Sequence, residues 1–222
     1  MKILLVSTSF FPTPPPGYAG TEAVVGWLAE ELNKMDHKVS VVAPIGSKFS
    51  EGIEHIPTVQ PGIGQMQEDA AWPMWLPRLV DVQTGKPTGE FDVVHDHSFR
   101  AWSYMAAKDH PSIKVCYTIH WQMHWPSIGA GLPPVPKPNL ICLSNAHALM
   151  TSSVLGRHCE WVHNGIPVEA FPFQKEKGER FLFLSRIARF KGAHEAIALA
   201  ERLRVPLDVV GEDRFVGDPP YV

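Results

Sequence analysis

Short apolar runs recur along this chain, alternating with stretches of helical spacing. That alternation limits the fold more than any other feature of the sequence. The runs are "KILLVST" (2–8), "HKVSVVAP" (37–44), "FDVVHDH" (91–97), "IKVCYTIH" (113–120), "NLICLS" (139–144) and "EWVHNGI" (160–166). Rich in β-branched residues and often apolar at consecutive positions, they read as parallel strands covered on both faces. After the first run, Val24, Val25, Leu28, Leu32 and Met35 recur at helical spacing, and Thr21 is placed to cap that helix. Further helices are expected from about Ser98 to Asp109 and over Asn145 to Leu155. Strand and helix in series predict an α/β fold built on a doubly wound parallel sheet, with ligands bound at the carboxyl ends of the strands.

Two stretches break the rhythm. Residues 60–90 hold Trp72, Trp75 and several prolines and glycines, and residues 121–138 ("WQMHWPSIGAGLPPVPKP") are similar. Long irregular segments of this kind tend to be functional loops or mobile ones. A fresh strand–helix–strand pattern starts after the polar "PFQKEKGE" (172–179): "RFLFLSRI", then "FKGAHEAIALAERLR", then "PLDVVG". Ala193, Ala196, Ile197, Ala200 and Leu203 are its expected buried helix face. A lone unit of roughly 40 residues cannot bury both faces of its sheet, so it must dock, dimerise or belong to something larger.

A formal net charge of -3 on 222 residues argues against a general attraction to nucleic acid or acidic membranes. Cys116, Cys142 and Cys159 are odd in number and lack CxxC spacing, so they read as reduced core residues of a cytoplasmic protein. "MKILLVSTSFF" carries a single lysine and no small-residue cleavage site, and reads as a buried strand rather than a leader. No apolar run reaches transmembrane length.

The chemistry-bearing residues gather where strands end. In "PPPGYAGTEAVVGW" (14–27) glycines stand at the mouth of a helix, whose free N–H groups can meet a phosphate or a sugar hydroxyl at Gly17–Thr21. A proline-rich turn before a capped helix explains the same residues, and Glu22 counts against a bare anion site. The spacing fits neither GxGxxG nor the P-loop. In "HDH", His95 and His97 share one side of their strand while Asp96 faces the other. With His120 and His124 they form a candidate metal set, but no HExxH or carboxylate-rich motif accompanies them, and no metal is assigned. His120 stands at a strand's carboxyl edge, either as a substrate contact or as a structural histidine. Arg186, Arg189 and Lys191 crowd a helix N-terminus, where cations are disfavoured unless an anion offsets them. A solvated basic turn is the alternative. Trp27 and Trp102 fall in helix patterns and read as core. Trp72, Trp75, Trp121 and Trp125 lie in the irregular stretches, to stack on a sugar or to anchor loops.

"GYAGTEAVVGWLAEEL", "FDVVHDHS", "YTIH", "CLSNAH", "VHNGIPVEAF" and "FLSRIARFKGAHEAIALAERL" occur in an order that resembles glycosyltransferase family 4, retaining and metal-independent enzymes of GT-B architecture. The resemblance runs from residue 1 to the end. It implies two Rossmann-like domains: an acceptor-side domain at 1–170 and the truncated start of a nucleotide-sugar-binding domain at 171–222. It places Gly20 and Thr21 near the donor phosphates, with Ala19 departing from the family's usual Gly-Gly pair. It maps the family's T-x-H histidine, near the transferred sugar, to His120 as the catalytic residue. It assigns Arg186 and Lys191 to the diphosphate leaving group. Glu22, His97, Asn164, Gly165, Trp75 and Trp121 are further candidates for substrate contact.

The family's two glutamates eight positions apart, which hold donor ribose and sugar hydroxyls, have no counterpart here. Glu22 and Glu30 share that spacing only by coincidence, on the first helix. The expected function is transfer of a sugar from a nucleotide-sugar donor to a carbohydrate or lipid-linked acceptor hydroxyl, with retention. It requires no separate cofactor and engages no nucleic acid, and a homodimer or a partner chain would complete the second domain. The rivals are a non-catalytic sugar- or nucleotide-binding subunit and a metal-dependent hydrolase built on the histidines.

Overall fold

The computed structural model of the chain describes residues 1–62, 65–120 and 139–212. The chain divides into two compact units, Met1–Pro167 and Val168–Val222. The first holds strands β1 (Lys2–Val6), β2 (Lys38–Ala43), β3 (Ile53–Pro57), β4 (Val93–Asp96), β5 (Val115–Thr118), β6 (Asn139–Cys142) and β7 (Glu160–Trp161). Its helices are α1 (Gly20–Lys34), α2 (Gln65–Trp75), α3 (Trp102–Asp109) and α4 (Asn145–Leu155). All pairings are parallel, in the order β3-β2-β1-β4-β5-β6-β7. This is the expected doubly wound, Rossmann-like sheet, and its strand order reverses between β1 and β4.

Alternation along β1 explains the two layers. Leu4 and Val6 enter a core with Val94, Tyr117, Leu140, Ala148 and Trp75, while Ile3 and Leu5 enter another with Val25 and Ala29 of α1. Leu4 and Leu5 are wholly buried. At about 1.5–3 kcal/mol for each such side chain, β1 is held at the sheet centre from both sides.

The structure corrects several expectations. Residues 60–90 are not merely irregular: α2 and a 3-10 turn (Leu76–Arg78) lie within them, with Pro73 near the end of α2. Trp75, expected as a substrate contact, is 2% exposed in the core. It meets Trp72 edge-on at 4.6 Å, and Trp72 stacks on Trp102 at 5.8 Å. These tryptophans fasten α2 and α3 to the sheet. The strand β3 was not foreseen, because an edge strand that buries only Ile56 shows no apolar run. Thr21 lies inside the first turn of α1 rather than at its cap, and Ala19 in extended conformation precedes the helix without a side-chain cap.

The third helix begins at Trp102, not near Ser98. Asp96 accepts from the backbone N–H groups of Ser98 and Ser103 and from the Ser103 hydroxyl, tying 98–101 into a turn. Ala101 takes a left-handed conformation with φ 50° to enter the helix, a geometry that costs a non-glycine residue about 1–2 kcal/mol and that these bonds hold in place.

In the second unit β8 (Phe181–Leu184) and β9 (Leu207–Val210) pair in parallel, linked by α5 (Ala193–Leu203). Of the predicted helix face only Ala193 and Ala200 are buried, while Ile197 and Leu203 are exposed. A two-stranded sheet is too narrow to cover the whole stripe. Gly211 is required sterically: a Cβ there would lie 1.7 Å from the Ser185 carbonyl oxygen. Cys142 and Cys159 are buried free thiols, and Cys116 is half-buried. Among the described residues no helix is long and apolar enough to cross a membrane.

Candidate active site

The crevice outside β1 and β4 is where a doubly wound sheet receives its ligand. Val6 pairs with Asp96 in register, and the His97 N–H reaches the Val6 carbonyl at 2.9 Å, so the loops after both strands leave from one place. The β1 loop is built from buried hydroxyls. Ser7 Oγ meets Thr13 Oγ1 at 2.7 Å, and the Thr13 N–H donates to Ser47 Oγ at 2.9 Å. The Thr8 hydroxyl donates to the Glu22 carboxylate. Pro14 then packs on α1, where a Cβ at Gly26 would come within 2.9 Å of the Pro14 Cβ. Gly20, in contrast, has open space where a side chain would stand.

Glu22 is therefore buried and engaged with Thr8, tying α1 to the end of β1. Burial holds its carboxyl above the usual carboxylate range, against the opposing pull of the Thr8 bond.

A carboxyl that the sequence reading missed pins the crevice from the other layer. Glu68 of α2 accepts from the N–H groups of Phe99 at 3.0 Å and Arg100 at 2.8 Å, and also from the Ser9 backbone. One side chain thus joins the loops after β1 and β4, whose Phe10 and Phe99 stack at 4.7 Å. Burial raises the Glu68 carboxyl to about 8, with the Asp96 charge adding to the effect. Its signal lay in helical spacing, since Glu68, Ala71 and Trp75 share one face and all three are buried. Asp96, also buried, is likewise raised, burial outweighing its serine bonds.

Beside these loops, at the ends of β4 and β5, the structure brings His95, His97 and His120 together. His95 Nε2 is 2.8 Å from Thr118 Oγ1, and His97 Nδ1 is 2.8 Å from His120 Nε2. Burial lowers His95 and His120 to about 4 and takes His97 well below the usual histidine range, with the neighbouring histidines adding to the effect on His97 and His120. At neutral pH the cluster is uncharged, so it can offer hydrogen bonds but not cationic charge. Among the described residues no group of three His, Cys, Asp or Glu side chains is arranged to hold a metal ion. Trp121, Trp125 and His124 lie outside the described residues.

The remaining candidates lie elsewhere. Asn164 and Gly165 are exposed in the loop after β7. In the second unit Arg186 and Lys191 both sit over the Phe190 ring, at 4.9 Å and 5.7 Å from its centroid. Two cations are thereby gathered beside the N-terminus of α5, where Gly192 supplies a φ of +82°. Phe190 itself is exposed.

The comparisons with known proteins agree with this architecture. Residues 18–170 match the family model described as Glycosyltransferase Family 4. No curated protein matches the chain in sequence. Among solved structures the chain is similar to AviGT4, a glycosyltransferase involved in avilamycin A biosynthesis, with 21% identity and a TM-score of 0.56. The match covers 94% of this chain and 56% of AviGT4, so the chain spans little more than half the length of that relative. At such identity the likeness speaks for the fold. The family match spans more than two thirds of the sequence, and the chain belongs to glycosyltransferase family 4.

Proposed function

We propose that this chain carries the acceptor-side domain (1–170) and the start of the donor-binding domain (171–222) of a retaining, metal-independent glycosyltransferase. The donor is a nucleotide sugar and the acceptor a carbohydrate or lipid-linked hydroxyl. The observation that carries the reading is the crevice at the β1–β4 switch, where the open helix mouth at Gly20–Thr21 and the partly exposed His120 occur within family motifs.

The roles follow from charge. When the bond between the sugar and the diphosphate breaks, negative charge grows on the leaving group. Arg186 and Lys191 stabilise that charge, Arg186 through a fork of N–H donors and Lys191 as a point charge. In the first unit, the backbone N–H groups at the start of α1 offer hydrogen bonds to a phosphate or a sugar hydroxyl. His120, neutral, orients the transferred sugar by hydrogen bonding. The acceptor hydroxyl attacks from the face the diphosphate leaves and passes its proton to the departing phosphate oxygen, which preserves the anomeric configuration. Exposed Phe181, Leu182 and Leu184 on the narrow second sheet support completion of that unit by further chain or by a partner.

The test supplies the protein with a panel of nucleoside-diphosphate sugars and candidate acceptors and reads the product anomer by NMR. Transfer with retention, reduced about tenfold or more in His120→Ala, is the expected outcome. Inversion would overturn the mechanism. Binding without transfer, even with a completing partner supplied, would favour a non-catalytic binding subunit.

A further inference from the structure

Three imidazoles stand in a row at the carboxyl ends of β4 and β5. His97 is in the middle, its ring centroid 4.1 Å from that of His95 and 5.1 Å from that of His120. It is 2% exposed, and its Nε2 is sealed from solvent with no hydrogen-bond partner among the described residues. Its Nδ1 lies 2.8 Å from His120 Nε2. His120 is only partly buried, and its other nitrogen, Nδ1, makes no hydrogen bond among the described residues.

A neutral pair places one proton in the contact, and only two arrangements exist. If His120 Nε2–H donated to His97 Nδ1, the proton of His97 would sit on Nε2, as a buried N–H with no acceptor. If His97 Nδ1–H donates to His120 Nε2, the sealed Nε2 of His97 is a bare lone pair, and the proton of His120 sits on Nδ1. Orphaned buried N–H groups are the rarer of the two defects. The His95 ring, held by Thr118, packs against His97 and keeps it in register with His120.

We propose that His97 is a positioning residue that sets the tautomer of His120: by donating Nδ1–H to His120 Nε2, it makes His120 an Nδ1–H donor toward the crevice. The ligand atom that His120 takes is then an acceptor oxygen, of a sugar hydroxyl or a phosphate. His120 does not serve as the base that removes the acceptor's proton, since its one lone pair is already engaged by His97. This deepens the reading of the crevice as a substrate site and rests on it for the identity of the ligand. The tautomer itself stands apart from that reading.

The experiment is a two-bond proton–nitrogen correlation spectrum of the 15N-labelled chain at pH 7 without ligand, which reports protonation at each ring nitrogen. His120 is expected to be protonated on Nδ1 and bare on Nε2, with His97 protonated on Nδ1. In His97→Leu the proton of His120 should move toward Nε2, the form that free side chains favour. In His97→Asn, which keeps an N–H donor near the place of Nδ1, the wild-type pattern should persist. A wild-type His120 protonated on Nε2 overturns the proposal, and so does an unchanged tautomer in His97→Leu. Should His97→Leu fail to fold, His97→Met removes the N–H donor with a smaller loss of volume and must move the His120 proton toward Nε2 in the same way; an unmoved proton is equally fatal. Because no ligand is present, absence of sugar transfer would sink the functional reading while leaving this result intact.

Discussion

Replacing Glu68 by glutamine tests the account of the crevice scaffold through pH. The carboxyl goes from 4.5 in the unfolded chain to about 8 when buried between the two loops. Between those values the folded protein holds a proton that the unfolded chain has released, so the stability given by the neutral form falls as pH rises. Each pH unit in that window is worth about 1.4 kcal/mol, so going from pH 5 to 7 removes about 2–3 kcal/mol. Glu68→Gln is neutral throughout and escapes this loss. The substitution has its own cost, because the amide turns an NH2 toward one of the Ser9, Phe99 or Arg100 N–H groups, at about 1–3 kcal/mol.

That cost does not depend on pH, whereas the carboxyl contribution does. The wild type should therefore lose about 2–3 kcal/mol of its lead over the variant between pH 5 and 7. Glu22, also raised by burial, titrates in both proteins and cancels in the comparison. Urea denaturation followed by tryptophan fluorescence is the assay. All seven tryptophans lie at or before Trp161, within the first unit, so the signal reports this unit alone. A lead that stays constant between pH 5 and 7 would mean that Glu68 is not held protonated by burial in the folded chain. A lead that grows with pH would mean that the three N–H groups outweigh burial and hold an ionised carboxylate.

Other substitutions probe the packing around the site. Gly26→Ala pushes a methyl against Pro14, and even after the helix-propensity gain it should cost about 1–2 kcal/mol in the same denaturation assay; an unchanged or raised midpoint would deny the contact. Trp75→Ala should cost about 3–5 kcal/mol as a core deletion. If it instead leaves stability intact and weakens ligand binding selectively, Trp75 is a surface contact and the assignment to the core is wrong. Gly211→Ala cannot be accommodated beside the Ser185 carbonyl, and it should abolish hydrogen-exchange protection in β8 and β9; retained protection would contradict that geometry.

The parallel sheet was legible because its central strands are buried on both faces: Ile3 to Val6 form an unbroken apolar run that no amphipathic helix requires. Helix α4 was legible down to its ends, with Ser144 accepting from the His147 N–H as its cap and Gly156 closing it in a left-handed conformation. Edge strand β3 was not, since a half-exposed strand of "IEHIP" has no distinguishing pattern. The start of α3 was misread because Asp96 and Glu68 capture the backbone of 98–103, a tertiary effect that no local propensity records. Trp75 was misplaced for a related reason: tryptophan near prolines and glycines suits a binding loop, but α2 carries it into the core.

At the site, the histidines were visible as strand-end residues, while their mutual contact depends on β4 and β5 being neighbours. Arg186 and Lys191 were visible as a basic cluster, and Phe190 between them was passed over.

In the proposed function the chain receives a nucleoside-diphosphate sugar, with Arg186 and Lys191 on the diphosphate. The most direct test is a titration of the 15N-labelled chain with nucleoside diphosphates, with the corresponding nucleosides as control, reading amide shifts residue by residue. Shifts at Arg186, Lys191 and Gly192 that need the diphosphate, and that vanish in the Arg186→Ala, Lys191→Ala double variant, are predicted. Unmoved amides there at millimolar nucleotide, or shifts that nucleoside alone reproduces, would contradict it.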